Sequence, residues 1–149
     1  MEQNGGIGAD RKGGNMKDIK FRGKRKDNKE WVYGNFVEKV NYIGGDTQTC
    51  IQIFTHRADD ADRWMEVFES ELIEVEPNTV GQYVGMSDKN YKEIYKGDNV
   101  KFANLDEVAE IDFMNGSFIV KFKSVKPITL LDAMIEYGKI TCKIVGNIY

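Results

Sequence analysis

Along most of the chain, apolar residues recur at every second position, the spacing that turns them to one face of an extended strand. Ile51 and Ile53 alternate with Gln52, and Val100 and Phe102 with Asn99 and Lys101. Ile140, Cys142 and Ile144 repeat the pattern near the C-terminus. Short runs at Ile19 to Arg22 and Trp31 to Val37 flank the polar stretch Lys24 to Glu30, whose Asp27 and Asn28 suit a turn, which predicts a hairpin with a basic tip. Further strands are expected over Cys50 to Phe54, Trp64 to Phe68, Leu72 to Val75 and Thr79 to Val84, with a polar turn at Ser87 to Asn90. The strongest local signal is Asn115-Gly116 between Val108–Phe113 and Phe118–Phe122, because both positions of a type I′ turn need positive φ.

One segment breaks the two-residue period. Leu130, Leu131, Met134, Ile135 and Tyr137 fall at helical spacing, with Pro127 or Thr129 at the start and Gly138 at the end, so a short helix is expected within 128–137. Ile140 to Val145 then forms a last strand placed to close a small barrel. Residues 1–15 hold five glycines and one isolated apolar side chain, Ile7, and read as a disordered arm or non-native extension. Met16 resembles an alternative start. The fold is therefore expected in 16–149 as one mainly β domain, divisible into lobes 16–77 and 78–149.

Three blocks, in order, are similar to the YopX family of phage and prophage proteins. Lys17-Asp18-Ile19-Lys20-Phe21-Arg22 resembles its opening strand. The eighteen residues Tyr83 to Val100 resemble its signature, with a glycine-centred turn at Gly85, the triplet Asp88-Lys89-Asn90, and Gly97-Asp98-x-Val100. Val145-Gly146-Asn147-Ile148-Tyr149 resembles its closing motif. Tyr91 stands where the family leads one to expect glycine. The resemblance implies a YopX-like fold of two packed β lobes and a protein of phage origin, and it supplies no catalytic residue. Gly97-Asp98-x-Val100 is also similar to the strand start of SH3-like barrels, a likeness of fold that assigns no function.

Composition and charge narrow the classes. With 41% hydrophobic residues the chain can fold around a real core, and no apolar run reaches the roughly 18 residues of a membrane span. The first residues lack the apolar stretch of a secretory signal, so a cytoplasmic protein of the host cell, with no membrane association, is expected. Cys50 and Cys142 lack metal-site spacing and read as reduced strand residues. A net charge of −3 speaks against general coating of DNA. The charge is nevertheless segregated: Met16 to Glu30 carries seven bases against three acids, and Asp59 to Glu76 eight acids against one arginine.

Candidate chemistry is sparse. His56 is the single histidine, and with Asp59, Asp60 and Asp62 it forms the one cluster that suggests a metal-dependent hydrolase; a solvated acidic loop accounts for the same residues. Cys50 with His56 is a conceivable nucleophile and base without a third orienting group. Asp88, Lys89 and Asn90 suit either a ligand loop or a turn. Phe21, Trp31 and Tyr33 among the lysines of the first hairpin suggest single-stranded nucleic-acid binding there, or in the groove beside Gly97 to Phe102; core packing of the rings is the competing reading. No catalytic, cofactor or metal site is assigned. The expected protein is a non-enzymatic phage accessory module that binds a phage or host macromolecule and forms a homo-oligomer through its opposed charges, with nucleic acid as the alternative partner.

Overall fold

The computed structural model describes residues 19–40, 43–57, 67–138 and 142–149. Two antiparallel sheets make up the protein. The first contains β1 (Phe21–Lys24), β2 (Trp31–Val40), β3 (Thr47–Arg57), β4 (Val67–Glu74), β5 (Gly81–Ser87) and β6 (Glu93–Tyr95), in the order β4-β3-β2-β1-β5-β6. The second contains β7 (Asp98–Lys101), β8 (Val108–Met114), β9 (Ser117–Lys121), β10 (Ile128–Thr129) and β11 (Lys143–Asn147), in the order β10-β9-β8-β7-β11. The helix α1 (Leu130–Glu136) follows β10.

The first hairpin forms as expected, with Phe21 opposite Gly34 and Lys24 opposite Trp31. Its turn is held by the two residues that mark it: Asp27 accepts from the Asn28 N–H at 2.7 Å, and Asn28 accepts from the Glu30 N–H at 3.0 Å. At Gly34 the strand changes partner, pairing β1 on one side and, from Asn35 onward, β3 on the other. A Cβ at Gly34 would lie 2.1 Å from the Gln52 carbonyl oxygen, so only glycine lets the two backbones approach this closely.

Two predicted strands merge. Leu72 to Glu74 of the strand expected over Leu72 to Val75, and the C-terminal part of Trp64 to Phe68, belong to one strand, β4, which pairs with β3 from Cys50↔Glu74 to Arg57↔Val67. This ladder satisfies the backbone through Ser70 and Glu71, where side-chain alternation is weakest. Residues 64–66 lie outside the described residues. A bridge between Arg25 and Val75 then joins the end of β1 to the end of β4, supported by Lys26 N–H to Glu74 O at 3.1 Å and Glu76 N–H to Lys24 O at 2.8 Å.

The main core lies between the second sheet, α1, and β5–β6 of the first. Phe102, Ile111, Val120, Ala133 and Cys142 are fully enclosed, with Val84 and Ile94 crossing over from the first sheet. Each large apolar side chain buried this way contributes about 1.5–3 kcal/mol. The Asn115-Gly116 turn has φ of 52° and 79°, the positive values that its hairpin requires. Thr129 caps α1 by accepting from the Asp132 N–H at 3.1 Å, and Gly138 ends the helical segment at φ 86°. Leu130, Ala133 and Met134 face the core, whereas Leu131 and Ile135 are exposed.

The last strand does not close a barrel. β11 pairs with β7 at one edge of the second sheet while β10 occupies the other, and no ladder joins these edges among the described residues. The apolar face is covered instead by α1, which supplies the burial that closure would have given. Residues 139–141, the start of the strand expected over 140–145, lie outside the described residues, as do 1–18.

Candidate functional site

The Gly97-Asp98 corner joins the two sheets through ionic, aromatic and backbone contacts. Arg22 on β1 and Asp98 on β7 form an ion pair at 2.6 Å with both side chains almost fully buried. The second carboxylate oxygen of Asp98 accepts from the Tyr95 N–H at 2.9 Å, so the acid also holds the turn that precedes it. The guanidinium lies 4.5 Å from the Trp31 ring centroid and 4.9 Å from that of Tyr95, close enough for attraction to both π-faces. Its Nε–H has no hydrogen-bond partner among the described residues.

Aromatic and acidic groups extend this centre outward. Tyr33 and Tyr83 each place a ring 5.6 Å from that of Tyr95. The Tyr95 hydroxyl donates to Glu93, which also pairs with Lys20. Burial and then this hydrogen bond push the Tyr95 phenol far above its ordinary range, so it is a donor and never a phenolate at physiological pH. The chain terminus completes the corner: Ile148 N–H donates to the Gly97 carbonyl at 3.0 Å, and the Tyr149 ring covers Gly97.

Asp88 does for the signature loop what Asp98 does for the corner. It is 6% exposed, and its carboxylate accepts three backbone N–H groups: Asn90 at 2.8 Å, Lys92 at 2.9 Å and, across 56 residues, Ile144 at 3.1 Å. Lys89 N–H adds a bond to the Cys142 carbonyl at 2.8 Å. Burial raises the Asp88 pKa, but the three donors together outweigh it and hold the group below the ordinary aspartate value of 3.8. Because the native value is depressed, the stabilisation is fully present above the unfolded value and is lost as pH falls through the native one. Thermal denaturation should therefore show Asp88→Asn well below the parent at pH 7, with the gap closing in acid. A gap independent of pH would contradict this assignment.

The other residues singled out in the sequence do not converge. Cys50 and His56 share β3 six residues apart, about 20 Å along an extended strand, so they cannot act as nucleophile and base. Cys50 and Cys142 are free and buried, and burial pushes the Cys142 thiol up to about 11, leaving it protonated. The backbone of His56 pairs with Phe68, while Asp59, Asp60 and Asp62 lie outside the described residues. Among the described residues no group of three or more His, Cys, Asp or Glu side chains is placed to hold a metal.

The basic hairpin tip is neutralised by its own chain. Lys26 pairs with Glu74 and Lys29 with Glu76, both at 2.6 Å, and Arg25 pairs with Asp27. Of its aromatics, Trp31 serves the Arg22 centre and Phe21 stacks on Phe36 with centroids 5.5 Å apart. Beside Asn99 a cavity of about 590 Å³ is present, lined by Asp106, Glu107 and Glu110 with Lys121 and Lys123, a mixture without net positive charge. Long-range ion pairing and the Arg22 centre escaped the sequence reading, because pairs such as 22 with 98 leave no local periodicity.

These features define a class: a mainly β protein of two antiparallel sheets, joined by a buried arginine–aspartate pair and a terminal tyrosine seated over a glycine turn. The family model described as YopX protein matches residues 20–149, and the chain belongs to that family. The crystal structure of protein EF1440 from Enterococcus faecalis is similar, with 21% identity over 88% of this chain and 93% of that one and a TM-score of 0.50, which shows a shared fold. None of the curated proteins matches the chain. Among the described residues, no helix is long and apolar enough to cross a membrane.

Proposed function

We infer that the protein is a non-catalytic binding module of a phage or prophage, working in the host cytoplasm, and that it assembles with copies of itself. One observation carries this reading. Beyond Gln52 the β3–β4 ladder continues for five residue pairs, from Ile53↔Glu71 to Arg57↔Val67, after β2 has ceased to pair with it. Among the described residues neither edge of this ribbon has a further partner, and a lone two-stranded ribbon is marginal in water. Phe54, on this ribbon, is 56% exposed. A second copy supplies the missing cover, through backbone pairing or through the exposed ring.

The charge segregation plays a smaller part than the sequence suggests, since Lys26 and Lys29 already meet Glu74 and Glu76 within one chain. Sedimentation velocity across a range of protein concentrations should show reversible association, weakened about tenfold or more by Phe54→Glu. A monomer at every concentration and salt would end the reading. Association untouched by Phe54→Glu would move it to another face.

A further inference from the structure

We propose that the loop Asp88–Lys92 and the adjoining end of the β7–β11 pair bind single-stranded nucleic acid, with Lys89, Lys92, Lys101 and Lys143 meeting phosphates and Tyr91 stacking on a base. This goes beyond the assembly reading and does not require it. Lys101 and Lys143 stand directly opposite each other across the β7–β11 ladder, and both are exposed. Like charges placed this way destabilise a sheet. None of the four lysines forms a close ion pair among the described residues, although Lys92 feels the Asp88 carboxylate, whereas Lys20, Lys26, Lys29, Lys96 and Lys121 each form one.

Lysines often guard exposed sheet edges against unwanted pairing, but that role does not explain this pair. Lys101 sits on β7, which is covered on both sides by β8 and β11. On β11 itself, the Ile144 N–H and the neighbouring Cys142 carbonyl are already taken by Asp88 and Lys89. The edge is partly sealed by the Asp88 carboxylate and the Lys89 N–H, without the Lys101 and Lys143 side chains, so the repulsion between those two is left without a structural return.

A second departure from good local structure lies next to it. Tyr91 has φ 63°, a left-handed conformation that a bulky side chain rarely adopts, and its ring is 92% exposed. Tyr91 N–H donates to Asp88 O at 3.0 Å, and Asp88 bonds the Ile144 N–H, so Tyr91 stands on a loop tied to β11 next to Lys143. Strain with no packing gain, beside unbalanced charge, marks a functional surface. A cationic track with an exposed aromatic is the arrangement that holds phosphates and stacks an unpaired base. Bases in a duplex are already stacked, so a single strand is the form that Tyr91 can use.

The test is fluorescence anisotropy of a labelled oligothymidylate at roughly 50 mM salt, where phosphate contacts are strongest. Wild type should bind, with duplex competing poorly. The double variant Lys101→Gln/Lys143→Gln should bind more weakly and reduce the log–log salt slope by about 1.4, from two lost single-strand phosphate contacts. Tyr91→Gly should weaken binding roughly tenfold, the loss of one stacked base. It should also raise Tm by about 2–4 °C because glycine accepts positive φ, which excludes misfolding as the cause. Lys26→Gln/Lys29→Gln, at the hairpin tip, should bind as wild type. No binding by wild type at tens of micromolar protein overturns the proposal, as does unchanged binding by Tyr91→Gly or by the β7–β11 lysine variant.

Discussion

Replacing Asp98 by alanine should cost about 3–5 kcal/mol, because it leaves the Arg22 guanidinium charged and buried with no counter-charge. The side chains of both residues are at most 5% exposed, so water cannot take the place of the lost carboxylate. The same change also removes the acceptor of the Tyr95 N–H. Thermal and urea denaturation should each report the loss. Converting both members, Arg22→Met with Asp98→Leu, should recover much of it, since a buried pair is often no better than an apolar replacement of similar size. Arg22 starts from an imperfect position, its Nε–H being unpaired at a cost of about 1–3 kcal/mol. If Asp98→Ala unfolds with a midpoint near that of the parent, the pair is not what joins the sheets.

The sequence displayed the local half of this structure and concealed the long-range half. Strands, the Asn115-Gly116 hairpin and the capped helix were legible because each is set by neighbours: alternation, two positive-φ residues, and a threonine before Asp132. The signature residues were legible as turns for the same reason, since Asp88 bonds Asn90 and Lys92 within four residues. The second duty of Asp88 on Ile144 was not, nor was the pairing of Arg22 with Asp98 across 76 residues. The charge of Lys26 and Lys29 was legible too, but its neutralisation depends on β4 folding back beside the hairpin tip. The absence of a closed barrel followed from α1 covering the face that strand pairing would have buried, a competition between two apolar surfaces that no single segment records.

Tyr91 illustrates how a departure from a family pattern becomes informative once geometry is known. Glycine is expected there, and the backbone does adopt the conformation that glycine prefers, at φ 63°. The tyrosine therefore holds its place at a conformational cost of roughly 1–2 kcal/mol. No core contact offsets it, because the ring is 92% exposed. Stability alone selects against this residue, which is why the loop, and not the neutralised hairpin tip, is the surface to interrogate for binding.

Gly97→Ala is expected to cost about 2–5 kcal/mol, and its cause is separable by experiment. The residue has φ 88°, which costs an L-residue about 1–2 kcal/mol. A Cβ there would also lie 2.5 Å from the Tyr149 ring, adding an overpacking penalty of about 1–3 kcal/mol. Unlike the backbone clash at Gly34, this one involves a side chain, so substitution can remove it. In a double-mutant cycle, Tyr149→Ala should abolish the overpacking part while leaving the conformational part intact. The combined variant should then be less destabilised than the two single losses added together, by about 1–3 kcal/mol. Strict additivity would mean that the ring does not rest on Gly97. In that case the terminal Ile148 N–H bond to Gly97, and not the tyrosine ring, would be what seats the C-terminus against the sheet junction.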